Sequence, residues 1–376
     1  MSGKYDLIVV GSGPAGSAAA ITASRLGLKV LILDKAQHPR VKPCGGGLTP
    51  KSRSLLKWLK VDMDDLVLSE CRDVYVANYA GTFMLRSRIP LISVTKREEF
   101  DKRLFDEASM GAEYENKEVI KAINHKNHVE IITRNGETHM SSMVIAADGA
   151  PSRVAASLGL INEKSAAAVM SIAKGSSDLP CLLDFTAVKY GYAWIFPQSN
   201  GYYDIGLGSI IKQRYGSRLD EYATRWGLKN GKVLGHLIPF TNIEPVIGRT
   251  MFAGDALGVA DPTTGEGIYQ SMYTGIAAAY AAYASLKRGE EPVIYRRLVS
   301  NLLSNNRLAN ALSLFVYGLD TQFFSRFLGT TGYASSDVKE LLIKLISGNT
   351  WYGGVIKFIS MRMPKYAIRA IINGLT

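Results

Sequence analysis

The chain contains few cysteines and histidines for its length. Its three cysteines, Cys44, Cys71 and Cys181, are scattered over 376 residues, too few for a disulfide framework, and none forms a CxxC pair. Of the five histidines, only His125 and His128 approach the spacing of a ligand pair. They stand in the polar segment AINHKNHVEI, which predicts a turn between two strands, and no cysteine or carboxylate cluster joins them. The sequence therefore predicts no metal site.

Long apolar runs are also missing. No window offers about 18 uninterrupted apolar residues, the length that a membrane-spanning helix needs. The N-terminus passes from MSGKYD directly into a short apolar strand, without the basic region, longer apolar region and cleavage site of a secretory signal. We therefore expect a cytoplasmic protein that does not cross a bilayer. At 376 residues and 47% hydrophobic, the chain is long enough for a large core and more than one structural unit.

Acidic residues are fewer than basic ones, 33 against 44, and the formal net charge is +11. The basic residues are not interleaved with aromatics as a nucleic-acid groove requires, so we expect no nucleic-acid partner. From Lys287 to the C-terminus, 12 Lys and Arg oppose 5 Asp and Glu. The segment LLIKLISGNTWYGGVIKFISMRMPKYAIRAIING is typical of a helix that lies on a membrane surface. An ordinary helical region with a solvated basic face fits it equally well.

The N-terminal segment KYDLIVVGSGPAGSAAAITASRLGLKVLILDK predicts a strand, a tight turn, a helix and a second strand within about 30 residues, the size of one βαβ unit. Gly11 permits the tight turn, Gly13 lets the backbone approach a pyrophosphate, and Gly16 lets the helix pack closely on the strand. The helix N-terminus presents free N–H groups to the phosphates. Asp34, about 20 residues further on, is placed to accept a ribose hydroxyl. The segment predicts a dinucleotide site and disfavours NADP there, because its 2′-phosphate would meet this acid.

The middle of the chain predicts strands. SSMVIAADGAPSRV is an apolar strand that ends at Asp148-Gly149, and the strands EVIKAI and HVEIITRNG precede it, with Asn135-Gly136 as a turn signal. Aromatic-rich alternation in YGYAWIFPQSNGYYDIGLGSII predicts further antiparallel strands. The chain then returns to a strand-like RTMFAGDA, a second glycine-rich turn and an alanine-rich helix over residues 268–286.

Three segments in this order, GSGPAG with Asp34, AADGAPSRV and AGDALGVADPTTGEGI, resemble the three fingerprints of the p-hydroxybenzoate hydroxylase class of FAD enzymes. Within that class, KPCGGGLTPKS and YAWIFP are similar to the geranylgeranyl reductase family, especially to archaeal digeranylgeranylglycerophospholipid reductases. The similarity extends to about Leu286. It implies an α/β fold: a Rossmann-like FAD-binding domain (1–80, 95–160 and 245–290), an inserted antiparallel β-sheet substrate domain (81–94 and 161–244) and a C-terminal helical region (291–376).

The resemblance also implies how FAD is held. The first glycine cluster, with Ala15, holds the pyrophosphate, Asp255 accepts a ribityl hydroxyl, and the helix after Gly267 directs its positive end to the flavin, where it stabilises the anionic reduced form. Arg97 contacts phosphate or flavin, and the Val119 backbone meets the adenine. The full set assigned to FAD is Gly11, Gly13, Ala15, Gly16, Asp34, Lys35, Cys44, Gly45, Gly46, Gly47, Arg97, Val119, Asp148, Gly149, Gly254, Asp255, Gly265, Gly267 and Ile268.

The segment KPCGGG is the candidate for chemistry. Three successive glycines remove every side chain from a run of backbone, as is needed where a chain passes against a flat ring. Cys44 before them is either a buried structural thiol or, as the resemblance favours, a catalytic residue that faces the flavin and supplies or relays a proton.

The segment YAWIFP is the candidate for substrate binding. Tyr192, Trp194 and Phe196 alternate onto one face of a predicted strand that Pro197 ends, and a wall of aromatics suits a long apolar prenyl chain. A packed sheet core would produce the same pattern. In the family a proline often precedes this motif, but Lys189 stands there in this chain, so the local turn is expected to differ.

The resemblance implies an FAD-dependent reductase that saturates carbon–carbon double bonds of geranylgeranyl groups on archaeal-type membrane lipids or prenyl precursors, by hydride transfer from flavin N5 with protonation of the alkene. A prenylated lipid and a membrane surface are the expected partners. The electron donor stays open between NAD(P)H and a redox protein such as reduced ferredoxin. Two alternatives are an FAD-dependent monooxygenase of an apolar substrate and a non-catalytic FAD-containing lipid-binding protein.

Overall fold

The computed structural model of the protein describes residues 5–78, 81–161, 164–176, 178–211, 215–318 and 336–361, and of 314–318 it describes the backbone. Nine α-helices lie in these ranges: α1 Pro14–Arg25, α2 Pro50–Trp58, α3 Arg97–Ser109, α4 Arg153–Ser157, α5 Tyr215–Arg225, α6 Ile268–Arg288, α7 Ile294–Gly318, α8 Ser336–Ile346 and α9 352–361. The strands are β1 Tyr5–Val10, β2 Val30–Asp34, β3 Gly47–Leu48, β4 Val67–Cys71, β5 Asp73–Asn78, β6 Gly81–Arg86, β7 Ile92–Thr95, β8 Glu113–Asn116, β9 Val119–Asn124, β10 Val129–Thr133, β11 Thr138–Ala146, β12 Ser165–Lys174, β13 Cys181–Asp184, β14 Gly191–Pro197, β15 Tyr202–Ser209, β16 Lys229–Asn230, β17 Leu234–Pro239, β18 Val246–Ile247 and β19 Thr250–Phe252.

The first sheet has the order β18-β19-β11-β1-β2-β8, and β9 and β10 extend it next to β11. Strand β1 is parallel to both β11 and β2, and β19 is parallel to β11. The central strands are continuous apolar runs because both faces are covered; Leu7, Ile8 and Val9 are fully buried. Helices α1 and α6 pack against each other beside this sheet. The predicted Rossmann-like domain is confirmed.

The second sheet has the order β16-β12-β15-β14-β13-β5-β6, with β17 on β12. All its pairs are antiparallel except β13 with β5. The predicted antiparallel sheet is therefore present. However, the predicted boundary between residues 80 and 81 falls inside the hairpin of β5 and β6, so the sheet already begins at Asp73. A small third sheet has the order β3-β7-β4. In the sequence, β3 and β4 precede the β5–β6 hairpin of the second sheet, and β7 follows it.

Helices follow the sheets at the C-terminus, as predicted. Helix α6 ends at Gly289, whose φ of 71° is the left-handed cap that glycine favours. No helix within the described ranges is long and apolar enough to cross a membrane. Of the basic segment that predicted a surface helix, residues 362–374 lie outside the described residues. His125 and His128 lie at the turn between β9 and β10, with their rings stacked at 4.4 Å.

Candidate functional site

One cavity of about 610 Å³ runs from the first sheet to the second and on to the C-terminal helices. Its wall includes the Gly11–Gly13 turn at one end, Trp194 of β14 in the second sheet, and Ile346 of α8 at the other end. A polar cradle and an apolar chamber are therefore continuous. The sequence-predicted site residues on its wall are Gly11, Gly13, Ala15, Asp34, Lys35, Cys44, Gly45, Gly46, Gly47, Arg97, Val119, Asp148, Gly149, Tyr192, Trp194, Phe196, Asp255, Gly265, Gly267 and Ile268.

Three predicted residues do not line the cavity. Gly16 and Gly254 act through packing: a Cβ on Gly16 would lie 1.8 Å from the Gly11 carbonyl oxygen, and one on Gly254 would lie 2.9 Å from the Ala15 Cβ. Pro197, predicted to contact substrate, lies off the cavity wall at the end of β14, where it pairs with Tyr203.

The glycine turn after β1 has the shape that a pyrophosphate needs. Gly11 has a φ of 97°, and a Cβ there would stand 2.3 Å from the Ala147 carbonyl oxygen. Helix α1 begins after Gly13 with no side-chain cap, so its first N–H groups remain available to a ligand. These features fit the dinucleotide that the sequence predicts.

Asp34 ends β2 and supports the same turn. One carboxylate oxygen accepts hydrogen bonds from the Ser12 backbone N–H at 2.6 Å and the Ser12 hydroxyl at 2.7 Å, and the other accepts from the Ala36 N–H at 2.9 Å. A carboxylate has about four acceptor sites, so one remains for a ribose hydroxyl. Asp34 thus links the turn to the predicted ribose position.

The second glycine cluster lies beside the first. Gly275 of α6 faces α1 so closely that a Cβ would stand 2.1 Å from the Ala15 carbonyl oxygen. The Gly254 N–H donates to the Thr274 hydroxyl at 3.0 Å. Because α1 and α6 are in contact, the N-terminal ends of both helices open into one cavity.

The loop 259–267 leads into α6. Gly265 has a φ of 67°, which favours glycine, and Gly267 precedes the helix without a side-chain cap. The Tyr192 hydroxyl donates to the Thr264 carbonyl and so connects this loop to β14. Burial raises the pKa of Tyr192, and the carboxylate of Asp261 raises it further, so this hydroxyl keeps its proton. The uncapped start of the 21-residue α6 fits the flavin edge that the sequence predicts.

A basic pair that the sequence analysis missed lies at this cavity. The Lys42 Nζ is 2.6 Å from the His236 Nε2, and both are close to one Asp255 oxygen, at 3.6 and 3.7 Å. Burial raises the pKa of Asp255, but the hydrogen bond with His236 and the charge of Lys42 lower it overall below its usual value. Burial also lowers the pKa of Lys42. His236 comes from β17, about 190 residues after Lys42 in sequence, so no local pattern could have paired them.

Two arginines add positive charge near the glycine turn. An Arg40 guanidinium nitrogen would lie 3.2 Å from a Cβ on Gly13, over the turn itself. Arg97, the first residue of α3, is buried and makes a bidentate pair with Asp101 at 3.0 Å for each bond. Burial alone lowers the pKa of Arg97, but Asp101 and the Cys44 sulfur raise it above its usual range. Arg40 had no predicted role; both arginines suit an anionic cofactor.

The three successive glycines meet the protein's own groups. A Cβ on Gly45 would stand 2.9 Å from the Trp194 Nε1, one on Gly47 would stand 3.2 Å from the Phe196 ring, and one on Gly46 would stand 2.0 Å from the Thr95 carbonyl oxygen. Gly45 and Gly47 therefore pass against flat rings of the second sheet, and Gly46 passes against the backbone of β7. These contacts within the protein are enough to explain why the three positions are glycines, whether or not a flavin also lies there.

The predicted aromatic residues do share one face of β14. Tyr192, Trp194 and Phe196 are neighbours, with ring centroids 6.1 and 6.5 Å apart. The Trp194 N–H donates to a carboxylate oxygen of Asp204 at 2.8 Å. Burial raises the pKa of Asp204 well above its usual range.

Lys189 stands in the turn before β14, and the expected difference from the family's proline-containing turn stays a prediction. Tyr190 adopts a φ of 54°, and the Ser209 hydroxyl donates to the Lys189 carbonyl at 2.8 Å.

The C-terminal helices supply a wall that the sequence analysis did not foresee. Leu342, Leu345 and Ile346 of α8 and Tyr352 of α9 line the cavity. Leu342 and Ile346 pack on the apolar cluster that holds Trp194 and Phe196. The chamber is therefore apolar on both sides.

Comparison with known proteins adds a family and several relatives. A model described as an FAD binding domain matches residues 4–210. A menaquinone reductase of Mycobacterium tuberculosis is 30% identical, with 87% of this chain and 86% of the relative covered. A digeranylgeranylglycerophospholipid reductase of Methanocella arvoryzae is 30% identical, with 77% and 80% covered. A solved structure of a geranylgeranyl bacteriochlorophyll reductase-like protein from Thermoplasma acidophilum aligns with a TM-score of 0.79 at 22% identity, covering 95% and 98% of the two chains.

Proposed function

Because the chain belongs to the FAD-binding domain family, and within it to the geranylgeranyl reductases, we propose that this FAD-dependent oxidoreductase saturates double bonds of prenyl chains on archaeal-type membrane lipids. The observation that carries the proposal is the continuity of the cavity, which joins a dinucleotide cradle to an apolar chamber. A long prenyl chain has almost no polar groups, so a chamber of aromatic and aliphatic side chains suits it.

The chain's own residues divide the cofactor between them. The turn at Gly11–Gly13 and the start of α1 hold the pyrophosphate, with Arg40 as a counter-charge. Asp34 takes the adenosine ribose and Asp255 a ribityl hydroxyl. The backbone N–H groups at Gly267 and Ile268, at the uncapped start of α6, would hold the flavin, and the α6 dipole there would favour negative charge.

When bound, reduced FAD supplies the hydride for one alkene carbon. The other carbon needs a proton, because an isolated trisubstituted alkene is a poor hydride acceptor and must develop positive charge. Cys44 lines the cavity and interacts with Arg97, and this position supports the proposal that its thiol supplies or relays the proton. Tyr192, Trp194, Phe196 and the α8 side chains exclude bulk water around the developing cation.

The polar end of the substrate is a finer part of the proposal. We favour a phospholipid over a quinone, since the cavity wall carries the basic side chains Lys42 and His236. Exposed Trp351, Ile356 and Met361 flank Lys357 near α9 and suit contact with an anionic membrane surface. Binding to vesicles of anionic lipid that is lost on Trp351→Ala would support this peripheral association; equal binding by both proteins would contradict it.

A substrate panel tests the proposal. Protein reduced with dithionite under anaerobic conditions is mixed separately with a digeranylgeranyl phospholipid, geranylgeranyl diphosphate and menaquinone, and the lipid mass is measured. A gain of two hydrogens per bond, fastest with the phospholipid, is expected. If only menaquinone were saturated, the substrate would be a quinone and not a phospholipid. A product that has gained an oxygen atom, and that forms only in air with NAD(P)H, would show that the protein is a monooxygenase and not a reductase.

A further inference from the structure

Tyr352 is a buried residue of the C-terminal helices that contacts the flavin-facing loop. Its side chain is 1% exposed, and its hydroxyl donates to both carboxylate oxygens of Asp261, at 2.9 and 3.0 Å. Its backbone N–H donates to the Asn305 side-chain oxygen at 2.8 Å, which fixes the start of α9 on α7. Burial raises the pKa of Tyr352 well above its usual range, so the hydroxyl stays a donor.

Asp261 organises the loop that Tyr352 holds. One of its oxygens accepts from the backbone N–H groups of Thr263 and Thr264, at 2.8 and 2.9 Å. Helix α7 adds two contacts: the Asn306 side chain donates to the Val259 carbonyl at 2.8 Å, and the Thr263 hydroxyl donates to the Ala309 carbonyl at 3.1 Å. Residues 259–267 are therefore positioned from the C-terminal region, where the sequence shows no family motif.

A second cavity of about 270 Å³ lies on the other side of Tyr352. Its wall is mixed, with leucines beside polar side chains, and it includes two buried side-chain oxygens, those of Gln270 and Ser347, that have no protein partner among the described residues. Buried polar atoms of this kind bind ordered water. Tyr352 and Asp261 line both cavities, as do Lys51 and Leu345, so the hydrogen-bonded pair lies between the second cavity and the apolar chamber.

We propose that Tyr352 is a positioning residue that fixes the flavin-facing loop through Asp261 and keeps water of the second cavity out of the prenyl chamber. The inference rests on the proposed alkene reduction. If water entered, its oxygen would bond to the tertiary cation formed by protonation and then lose a proton, which gives an alcohol. That product carries the mass of one added water, and the flavin stays reduced because no hydride is used.

The test compares Tyr352→Phe and Tyr352→Ala with Tyr295→Phe. Tyr295 is the matched control because it is also fully buried, but its hydroxyl donates to the carbonyls of Phe252 and Thr274, away from the loop. FAD affinity and flavin midpoint potential are measured for all variants, with the lipid products by mass. Loss of a hydrogen bond to a charged group, about 1.5–3 kcal/mol, corresponds to a roughly tenfold or greater loss of affinity.

We expect Tyr352→Phe to weaken FAD binding and move the potential to a more negative value, with Tyr295→Phe unchanged. Tyr352→Ala should show the same effects and should also form the alcohol. The same FAD affinity and potential in Tyr352→Phe and Tyr295→Phe would overturn the proposal, as would a Tyr352→Ala protein that binds FAD and forms no alcohol. If the wild type saturates no prenyl lipid, the proposed function fails, while the two flavin measurements still decide the role of Tyr352.

Discussion

Gly275 of α6 and Ala15 of α1 lie in direct backbone contact, although 260 positions separate them in the sequence. A Cβ on Gly275 would stand 2.1 Å from the Ala15 carbonyl oxygen. This contact places the two helix N-termini side by side at one cavity, so one dinucleotide can reach both.

Gly275→Ala tests that contact. Because the obstructing atom is backbone, the two helices must move apart, and we expect a loss of about 1–3 kcal/mol in the free energy of unfolding together with weaker FAD binding. Urea unfolding and FAD titration measure the two effects. Gly216→Ala in α5 is the control, since a Cβ there meets nothing within 4 Å. Equal stability of both variants would refute the close approach.

Arg40→Met tests the counter-charge over the glycine turn. A guanidinium–phosphate hydrogen bond contributes about 1.5–3 kcal/mol, so the FAD dissociation constant should rise at least about tenfold. Fluorescence titration of the apoprotein measures it. Arg88→Met, an exposed position away from the cavity, should leave the constant unchanged. If both variants bind FAD alike, Arg40 does not contact the pyrophosphate.

We expect Asp204→Asn to stabilise the folded protein by an amount that depends on pH. The folded-state pKa of Asp204 is raised, so the wild type loses stability as the pH rises above the pKa of the unfolded carboxyl, near 3.9. Asparagine does not titrate and still accepts from the Trp194 N–H. The variant's free energy of unfolding should therefore exceed that of the wild type by a margin that grows from pH 4 to pH 7. If the difference in the free energy of unfolding did not change with pH, the pKa of Asp204 would not be raised in the folded protein.

Ile346→Trp tests the α8 wall. A larger side chain shortens the apolar chamber, so the KM for a geranylgeranyl substrate should rise more than that for a farnesyl substrate. Steady-state kinetics with both chain lengths measure the ratio. Ile161→Trp, at a position 79% exposed and off the cavity wall, is the control. An unchanged ratio in Ile346→Trp would show that the prenyl chain does not reach α8.

The fold and the cofactor cradle could be predicted because their signals are local. Gly11, Asp34 and Gly265 each belong to a strand–turn–helix segment, and the positive φ of the two glycines and the hydrogen bonds from Ser12 to Asp34 favour that residue type at each position. The sequence explained the run Gly45–Gly47 only by the passage of the backbone against a flat ring. In the structure Gly45 faces Trp194 and Gly47 faces Phe196, contacts that the local pattern did not show.

Contacts across the fold left no such signal. His236 meets Lys42 only because β17 of the second sheet reaches the loop after β2. Tyr352 meets Asp261 because α9 returns to the start of α6, and a tyrosine in an unrecognised helix carries no mark of that contact. Sequence patterns report neighbours within one element, whereas these pairs depend on how elements pack.

The most direct test of the reductase account is an anaerobic single turnover. The protein is reduced stoichiometrically, one equivalent of digeranylgeranyl phospholipid is added without oxygen, and flavin absorbance and lipid mass are followed together. The account predicts that one flavin is reoxidised for every two hydrogens gained by the lipid. Flavin that stays reduced with every prenyl lipid, yet reoxidises with oxygen, would contradict it.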